Sequence, residues 1–130
     1  KTIIRMKIIN TDTAPTPIGP YSQAVIAGGM LFVSGQIAID PSTNELITES
    51  IEAEANQVMK NLEQLLLKAG YAFEDVVKTS IFLSDMQLFS KVNEVYGKYF
   101  HSNFPARETV AVAGLPKNVN VEISVIAYKS

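Results

Sequence analysis

The residues best suited to chemistry in this chain are an arginine and a glutamate near its C-terminal end. Arg107 follows Pro105 where a strand is expected to begin, and Glu122 stands within an apolar strand pattern between Val121 and Ile123. Side chains alternate along a strand, so Glu122 faces away from its apolar neighbours. An arginine can bind a small carboxylate through two parallel hydrogen bonds, and a carboxylate can hold a water molecule and transfer its proton. The two residues therefore suit the addition of water to an electrophilic carbon of an organic acid.

The same two residues also allow a structural interpretation. A half-buried carboxylate needs a partner, and Arg107 on the preceding strand is the nearest candidate in sequence. We therefore expect Arg107 and Glu122 to come from neighbouring strands. As a buried ion pair at a subunit interface they would stabilise the protein without catalysis, since breaking such a pair costs about 3–5 kcal/mol.

The composition excludes several other kinds of site. The chain has no cysteine and 1 histidine, which rules out disulfides, thiolate metal sites, a cysteine nucleophile and clusters of histidine ligands. We expect no metal and no cofactor. The lone histidine, His101, follows a predicted helix end, where a structural role is favoured over catalysis. A formal net charge of −2 argues against nucleic acid as a partner.

No targeting or membrane-spanning signal is recognisable in the sequence. No apolar stretch is long enough to cross a membrane, and none is typical of a signal peptide. We therefore expect a cytoplasmic protein with no membrane partner. Met6 is a candidate start of translation, with residues 1–5 either added ahead of it or translated from an earlier start.

The hydrophobic pattern predicts a single domain over residues 1–130, because this length is enough for one core. The predicted order is β-β-β-α-β-α-β-β, with strands at 6–9, 24–27, 30–36, 76–83, 109–113 and 119–128, and helices at 50–69 and about 85–100. This order favours an α+β fold: one mainly antiparallel sheet with two helices on one face. The other face would lack cover, which an assembly of subunits would supply.

Several loop and helix positions are candidates for a ligand site. The proline-rich stretch 13–21 predicts a rigid loop that holds Tyr21 either as a packed aromatic or as a ligand contact. Gly35 lies inside a predicted strand, which indicates a bulge or a close approach of another group. Phe89 and Asn93 lie one turn apart on the second helix.

Four motifs together closely resemble the RidA family, also called the YjgF/YER057c/UK114 family. They are Ile18-Gly19-Pro20-Tyr21-Ser22-Gln23, Ser34-Gly35-Gln36, Val92-Asn93-Glu94-Val95-Tyr96, and Pro105-Ala106-Arg107 through Leu115-Pro116 to Glu122-Ile123. The resemblance covers essentially the whole chain. It implies a chorismate-mutase-like fold and a barrel-like homotrimer with three clefts between subunits.

The resemblance also implies an activity and the residues that carry it. The activity is the hydrolysis of reactive enamines and imines, such as 2-aminoacrylate and 2-iminopropionate, to 2-oxo acids and ammonia. Such species escape from pyridoxal-phosphate dehydratases, and the hydrolysis itself needs no cofactor. By resemblance, Arg107 binds the substrate carboxylate and Glu122 orients the water. The substrate-binding positions implied are Tyr21, Ser34, Gly35, Phe89, Asn93 and Thr109, with Gly35 and Thr109 contributing backbone.

The chain departs from the family pattern at two positions. Glu108 stands where the family has a small residue, and Thr109 stands where many members have cysteine. On a strand Glu108 would point away from Arg107, although a bend would let them pair, and an anion beside the arginine would weaken carboxylate binding. Three hypotheses follow: an imine deaminase, a regulatory protein that binds a small carboxylate without turnover, and RNA cleavage, which the charge disfavours.

Overall fold

A computed structural model describes residues 6–130; residues 1–5, the stretch ahead of the candidate start at Met6, lie outside the described residues. In chain order the strands are β1 (Lys7–Ile9), β2 (Ala24–Ala27), β3 (Met30–Gln36), β4 (Ile39–Asp40), β5 (Glu45–Leu46), β6 (Val76–Leu83), β7 (Ala106–Ala111) and β8 (Val121–Tyr128). The helices are α1 (Ile51–Ala69), between β5 and β6, and α2 (Phe89–Gly97), between β6 and β7. The predicted α+β class is confirmed. The short ribbon of β4 and β5 was not predicted from the sequence.

The main sheet has the strand order β1-β2-β3-β8-β6-β7. Its pairings are antiparallel except that between β6 and β7, which is parallel. The prediction of a mainly antiparallel sheet is therefore confirmed. The expectation that Arg107 and Glu122 come from neighbouring strands is wrong, because β6 lies between β7 and β8. Consecutive strands in the sequence are often neighbours in a sheet, but here β8 inserts between β3 and β6 instead.

The first helix forms as its sequence predicts. The Ser50 hydroxyl accepts a hydrogen bond from the Ala53 N–H at 3.0 Å, which satisfies a backbone donor that the first turn leaves free. Gly70 ends the helix at a φ of 83°, a conformation that glycine adopts without strain. The apolar stripe of α1 packs across β3 and β8 and forms the core.

The second helix is shorter than its hydrophobic pattern predicts. It ends at Gly97, whereas the pattern extends to Phe100. Beyond Gly97 the backbone tightens: the N–H groups of Tyr99 and Phe100 donate to carbonyls three residues earlier. Phe100 nevertheless remains buried in the core, so the apolar spacing outlasts the helix.

The two faces of the sheet differ in cover. Along β8 the residues Val121, Ile123, Val125 and Ala127 are buried under the helices. The opposite face of the sheet carries exposed apolar side chains, with Phe32 41% and Tyr128 49% exposed. Strand β6 has a neighbouring strand on each edge, but only its helix-side face is fully covered within one protomer. None of the helices in residues 6–130 is both long and apolar enough to span a membrane.

Candidate functional site

Arg107 lies at the edge of the sheet beside α2. Strand β7 begins at Ala106, directly after Pro105 and three residues earlier than the predicted strand. Arg107 pairs in register with Thr79 of β6, whose side chain is buried on the helix-side face. The arginine side chain therefore projects toward α2. With Asn93, Tyr96, Gly97, Phe104 and Pro105 it lines an open cavity of about 500 Å³.

The guanidinium of Arg107 is held by side chains of α2. Its Nη1 donates a hydrogen bond to Asn93 Oδ1 at 2.7 Å. The guanidinium carbon lies 5.5 Å from the ring centre of Phe89 and 5.1 Å from that of Tyr96, which are cation–π distances. Residues 89, 93 and 96 share one side of the helix because they are spaced by four and three. Asn93 and Phe89, two of the expected substrate-binding residues, thus contact the Arg107 side chain.

Tyr96 is a further contact of Arg107, and the sequence did not single it out as a site residue. Its hydroxyl donates to Thr79 Oγ1 at 3.0 Å in a buried position. Burial raises the pKa of Tyr96, against smaller opposing effects of the Thr79 hydrogen bond and of Arg107. The ring is therefore a fixed neutral platform under the guanidinium. The spacing of three residues between Asn93 and Tyr96, which puts both on one side of the helix, was the sequence signal that could have predicted this contact.

Glu122 lies over an irregular part of β3. The pairing of β3 with β8 shifts register between Val33 and Gln36, which is a β-bulge, and bulges frequently re-aim side chains beside active sites. A β carbon built on Gly35 would collide with Glu122 Oε2 and lie 2.8 Å from its Cδ. The predicted close approach at Gly35 is thus present, and the approaching group is the Glu122 carboxylate.

Burial raises the pKa of the Glu122 carboxyl above its ordinary value. Desolvation is the only cause, so within residues 6–130 neither a hydrogen-bond donor nor a cation offsets it. The carboxyl lines a cavity of about 330 Å³ whose walls are Ile18, Tyr21, Ser34, Gly35, Ile37 and Pro116. A carboxyl group with a raised pKa can take up and release a proton closer to neutral pH.

Gln23 fixes the proline-rich loop that carries Tyr21. It is 3% exposed, and its amide Nε2 donates to the carbonyls of Thr11, Ala14 and Pro15 at 3.0, 3.2 and 2.8 Å. These bonds satisfy carbonyl groups that an irregular loop leaves unpaired. Tyr21 itself is 48% exposed, so its ring is a wall of the Glu122 cavity rather than part of the core.

The side-chain hydroxyls of Ser34 and Thr109 differ in their hydrogen bonding. The Ser34 hydroxyl donates to the Ser22 carbonyl at 2.6 Å, which ties the bulge to the Tyr21 loop. Thr109 lies two residues beyond Arg107 and therefore on the same side of β7. Its Oγ1 is buried without a hydrogen-bond partner among residues 6–130. The Thr109 hydroxyl is an unsatisfied polar group on the Arg107 side of the sheet, and such a group is costly unless a ligand or another molecule satisfies it.

Arg107 and Glu122 lie on opposite faces of the sheet within one protomer. Arg107 is level with Thr79 of β6, and Glu122 is level with Phe82. Residues 79 and 82 are three apart on one strand and so face opposite ways. The two side chains therefore do not pair within a chain, and the six other candidate residues divide between two half-sites: Tyr21, Ser34 and Gly35 with Glu122, and Phe89, Asn93 and Thr109 with Arg107.

Glu108 faces away from Arg107. It forms an ion pair with Lys78 at 2.9 Å and accepts a hydrogen bond from the Ser80 hydroxyl. The Ser80 hydrogen bond, followed by the effects of Lys78, lowers the pKa of Glu108. This ion pair is the only one among residues 6–130. Glu108 therefore pairs with Lys78, and no bend brings it onto Arg107.

Among residues 6–130 no cluster of three histidine or acidic side chains is arranged to hold a metal ion.

The architecture is that of a small α+β protein in which Arg107 and Glu122 line separate cavities. Residues 11–129 match the family model described as Endoribonuclease L-PSP. The chain belongs to this family, which is the RidA family that its motifs resemble.

The relatives match nearly the whole length of the chain. The human protein named 2-iminobutanoate/2-iminopropanoate deaminase is 46% identical over 123 residues, covering 95% of this chain and 90% of the human one. The structure of E. coli TdcF with bound serine has 39% identity and a TM-score of 0.91, covering 95% of this chain and 99% of TdcF. RidA from an Antarctic Psychrobacter species has 42% identity and a TM-score of 0.91, covering 95% of this chain and 99% of that one.

The contact between Gly35 and Glu122 gives a direct prediction. In the Gly35→Ala variant the new β carbon occupies the place of the carboxylate, so the flexible end of Glu122 must swing out of its cavity. We expect the imine hydrolysis that the family resemblance implies to fall about 100-fold, the effect of a misplaced group at a reacting centre, while the protein remains folded. Circular dichroism and turnover measured on the same sample test this.

The matched control is Gly114→Ala, because a β carbon at Gly114 meets no atom within 4 Å. Unchanged turnover in Gly35→Ala would contradict the assigned place of Glu122.

Proposed function

We propose that this protein hydrolyses reactive enamines and imines of the 2-aminoacrylate and 2-iminopropionate type to 2-oxo acids and ammonia. One observation carries the proposal: the sheet presents an arginine with no carboxylate partner among residues 6–130 and a half-buried glutamate with no cation. Each lines its own open cavity. A small anionic substrate would supply the carboxylate that Arg107 lacks. The water that attacks this substrate would supply a hydrogen-bond donor to Glu122. The name of the human relative describes the same reaction.

The proposed active site forms between protomers of a homotrimer. One protomer would contribute Arg107 with Asn93 and Phe89, and the next would contribute Glu122 with Tyr21. The opposite-face placement of Arg107 and Glu122 supports this arrangement, because a single chain cannot bring them to one ligand. The exposed apolar side chains on the open sheet face, which include Phe32 and Tyr128, supply a surface for association.

In this proposal Arg107 binds the substrate carboxylate bidentately. Asn93 and the two aromatic rings hold the planar guanidinium, so little side-chain freedom is lost on binding. The buried Thr109 hydroxyl, which lacks a protein partner, would also gain a hydrogen-bond partner from the ligand. The carboxylate is thereby fixed with its C=N carbon toward the neighbouring cavity.

Glu122 then acts on the water and on the leaving nitrogen. A water molecule held by the carboxylate attacks the C=N carbon of the protonated imine, and Glu122 accepts the proton that the water loses, which yields a neutral tetrahedral carbinolamine. The protonated Glu122 returns this proton to the nitrogen. The C–N bond then breaks as the hydroxyl oxygen forms the C=O bond and gives its proton to the Glu122 carboxylate, so the products are a 2-oxo acid and ammonia, and the proton that the imine carried leaves with the ammonia as ammonium. The raised pKa of Glu122 suits both steps, because a group that titrates nearer neutral pH both accepts and donates effectively.

The proposal is tested with a coupled enzyme assay. A threonine or serine dehydratase generates the imine, and the release of 2-oxo acid is followed with and without the purified protein. We expect the protein to accelerate release, and sedimentation equilibrium to give three times the 14.2 kDa chain mass. No acceleration, or a monomeric mass, would contradict the proposal.

The hypothesis of a regulatory protein depended mainly on an anionic Glu108 beside Arg107. Glu108 pairs with Lys78 instead, so this support for the hypothesis is absent. We expect Glu108→Ala to change kcat/KM little, since the lost ion pair lies on the opposite face from Arg107. The coupled assay measures this, with Lys78→Ala as the matched control for the same pair. A large gain in carboxylate affinity in Glu108→Ala alone would contradict it and favour a binding protein tuned by Glu108.

RNA cleavage is the second candidate, because the family description names an endoribonuclease. His101, the general base that such chemistry most often uses, lines neither the Arg107 nor the Glu122 cavity. Ribonuclease activity that co-elutes with the assembled protein and disappears in Glu122→Ala would establish this candidate. Activity that separates from the protein on purification would remove it.

A further inference from the structure

We infer that Glu54 is a positioning residue for Glu122: its buried carboxylate holds the start of β8 and so sets the place of the Glu122 side chain. The inference deepens the proposed function and rests on it. Glu54 lies in the first turn of α1 and is 0% exposed. An acidic residue near the start of a helix is favoured by the helix dipole alone, but a fully buried glutamate is almost never found in proteins without partners.

The partners of Glu54 are the residues directly before Glu122. Its Oε2 accepts hydrogen bonds from the backbone N–H groups of Asn120 and Val121 at 2.8 and 3.3 Å. Its Oε1 accepts from Asn120 Nδ2 at 2.9 Å. Oε2 thus binds the backbone of Asn120 and Val121, Oε1 binds the Asn120 side chain, and the helix is tied to the start of β8.

Asn120 extends the same connection to β6. Its Oδ1 accepts a hydrogen bond from the Ser84 hydroxyl at 3.1 Å, and its carbonyl accepts from the Ser84 N–H at 3.0 Å. Ser84 follows the last residue of β6. The carboxylate of Glu54 therefore fixes the start of β8 relative to α1 directly and relative to β6 through Asn120.

The effect on Glu122 follows from the narrow space above Gly35. Glu122 comes next in the chain after Val121, and its carboxylate lies where a β carbon on Gly35 would not fit. Pro116, in the segment that leads into Asn120, lines the same cavity. A shift of the β8 start hence moves Glu122 and Pro116 relative to Gly35. Arg107 is on the opposite face with β6 between, so carboxylate binding is not affected.

Because only the Glu122 half-site is expected to move, the loss of Glu54 should lower turnover without weakening carboxylate binding. We expect Glu54→Ala to lower kcat about 10- to 100-fold, as small misplacements of a catalytic group do, with the Kd for 2-oxobutyrate unchanged. Asn120→Ala, which keeps the backbone bonds to Glu54, should have the same effect to a smaller extent and serves if Glu54→Ala does not fold.

The conservative variant should restore function. In Glu54→Gln the amide oxygen accepts the two backbone N–H bonds. Its NH₂ donates to Asn120 Oδ1 once the Asn120 amide rotates, because the Ser84 hydroxyl can accept as well as donate. The control for lost stability is Tyr71→Phe, which removes a hydrogen bond of 2.9 Å to the Gly29 carbonyl at the far end of the sheet.

The experiment measures kcat, the Kd for 2-oxobutyrate and Tm for these variants, and compares crystal structures of wild type and Glu54→Ala. The inference is overturned if kcat in Glu54→Ala matches that in Tyr71→Phe, or if kcat and carboxylate affinity fall together. It is also overturned if Glu122 keeps its place over Gly35 in the Glu54→Ala crystal. That last comparison needs no turnover, so an inactive wild type would refute the proposed function while still deciding the role of Glu54.

Discussion

Replacing Arg107 by alanine is expected to lower kcat/KM for imine hydrolysis about 30- to 1,000-fold. The estimate corresponds to about 2–4 kcal/mol, the loss of paired hydrogen bonds between a guanidinium and a carboxylate. The variant retains Phe89 and Tyr96, which form the apolar walls around the guanidinium, but it has no cation for the substrate. The coupled dehydratase assay measures the change.

The control for this prediction is Arg107→Lys. Lysine keeps the charge but not the planar fork or the stacking on the two rings, so we expect an intermediate loss. Both variants are examined for assembly by sedimentation, because a structural role for Arg107 at an interface would reduce assembly together with activity. Full activity in Arg107→Ala would show that the arginine does not bind substrate.

Much of the fold follows from the sequence because its signals are local. The helix α1 has a cap at Ser50, a terminator at Gly70 and a complete apolar stripe between them, and all three agree in the structure. The hairpin of β2 and β3 likewise follows from its two glycines between apolar runs. Where local signals agree with one another, the element they predict forms.

The strand order is not a local property, and there the prediction failed. Nothing in the pattern of β7 or β8 shows that β8 inserts between β3 and β6. The prediction that Arg107 and Glu122 lie on neighbouring strands was therefore wrong. Glu122 was correctly placed within a strand, whereas the strand that carries Arg107 begins three residues before its predicted range. The contacts of Tyr96 with Arg107 and of Glu54 with Asn120 were missed for a related reason. Each joins residues distant in sequence and looks, in its own element, like ordinary packing or helix charge.

The departures from the family pattern were easier to interpret once the register was known. Glu108 alternates with Arg107 and Thr109 along β7 and meets Lys78 and Ser80 of β6 on the open face. The alternation was predictable from the sequence. The two partners were not, because they depend on the parallel pairing that sets Glu108 level with Ser80.

Replacing Glu122 by glutamine is expected to lower turnover strongly while making the protein more stable at neutral pH. The amide neither accepts the proton of the attacking water nor returns one to the nitrogen, and loss of such acid–base catalysis lowers kcat about 100- to 10,000-fold. The carboxylate-binding half-site is on the other face of the sheet, so the Kd for 2-oxobutyrate should remain near that of wild type. Turnover and calorimetric titration measure the two quantities.

The gain in stability has a definite pH dependence. Burial raises the pKa of Glu122 above its ordinary value of 4.5, so between the ordinary and the raised value the folded protein holds a proton that the unfolded chain has released. The free energy of unfolding of the wild type therefore falls as pH rises through this window. Glutamine does not titrate, so the difference in Tm between variant and wild type should appear as pH rises through the window and then stay constant. At more acidic pH, where Glu122 is protonated in both states, the two proteins should differ little.

Glu122→Ala is the control that separates charge from space. It removes the desolvated carboxylate but opens a void above Gly35, so we expect it to be inactive and less stable than Glu122→Gln. If Glu122→Gln is destabilised at neutral pH instead, the carboxylate has a cationic or donor partner in the assembled protein. If Glu122→Gln turns over imines at the wild-type rate, another group moves the proton and the proposed role of Glu122 is wrong. Because activity and stability should change in opposite directions, loss of folding cannot account for the expected result.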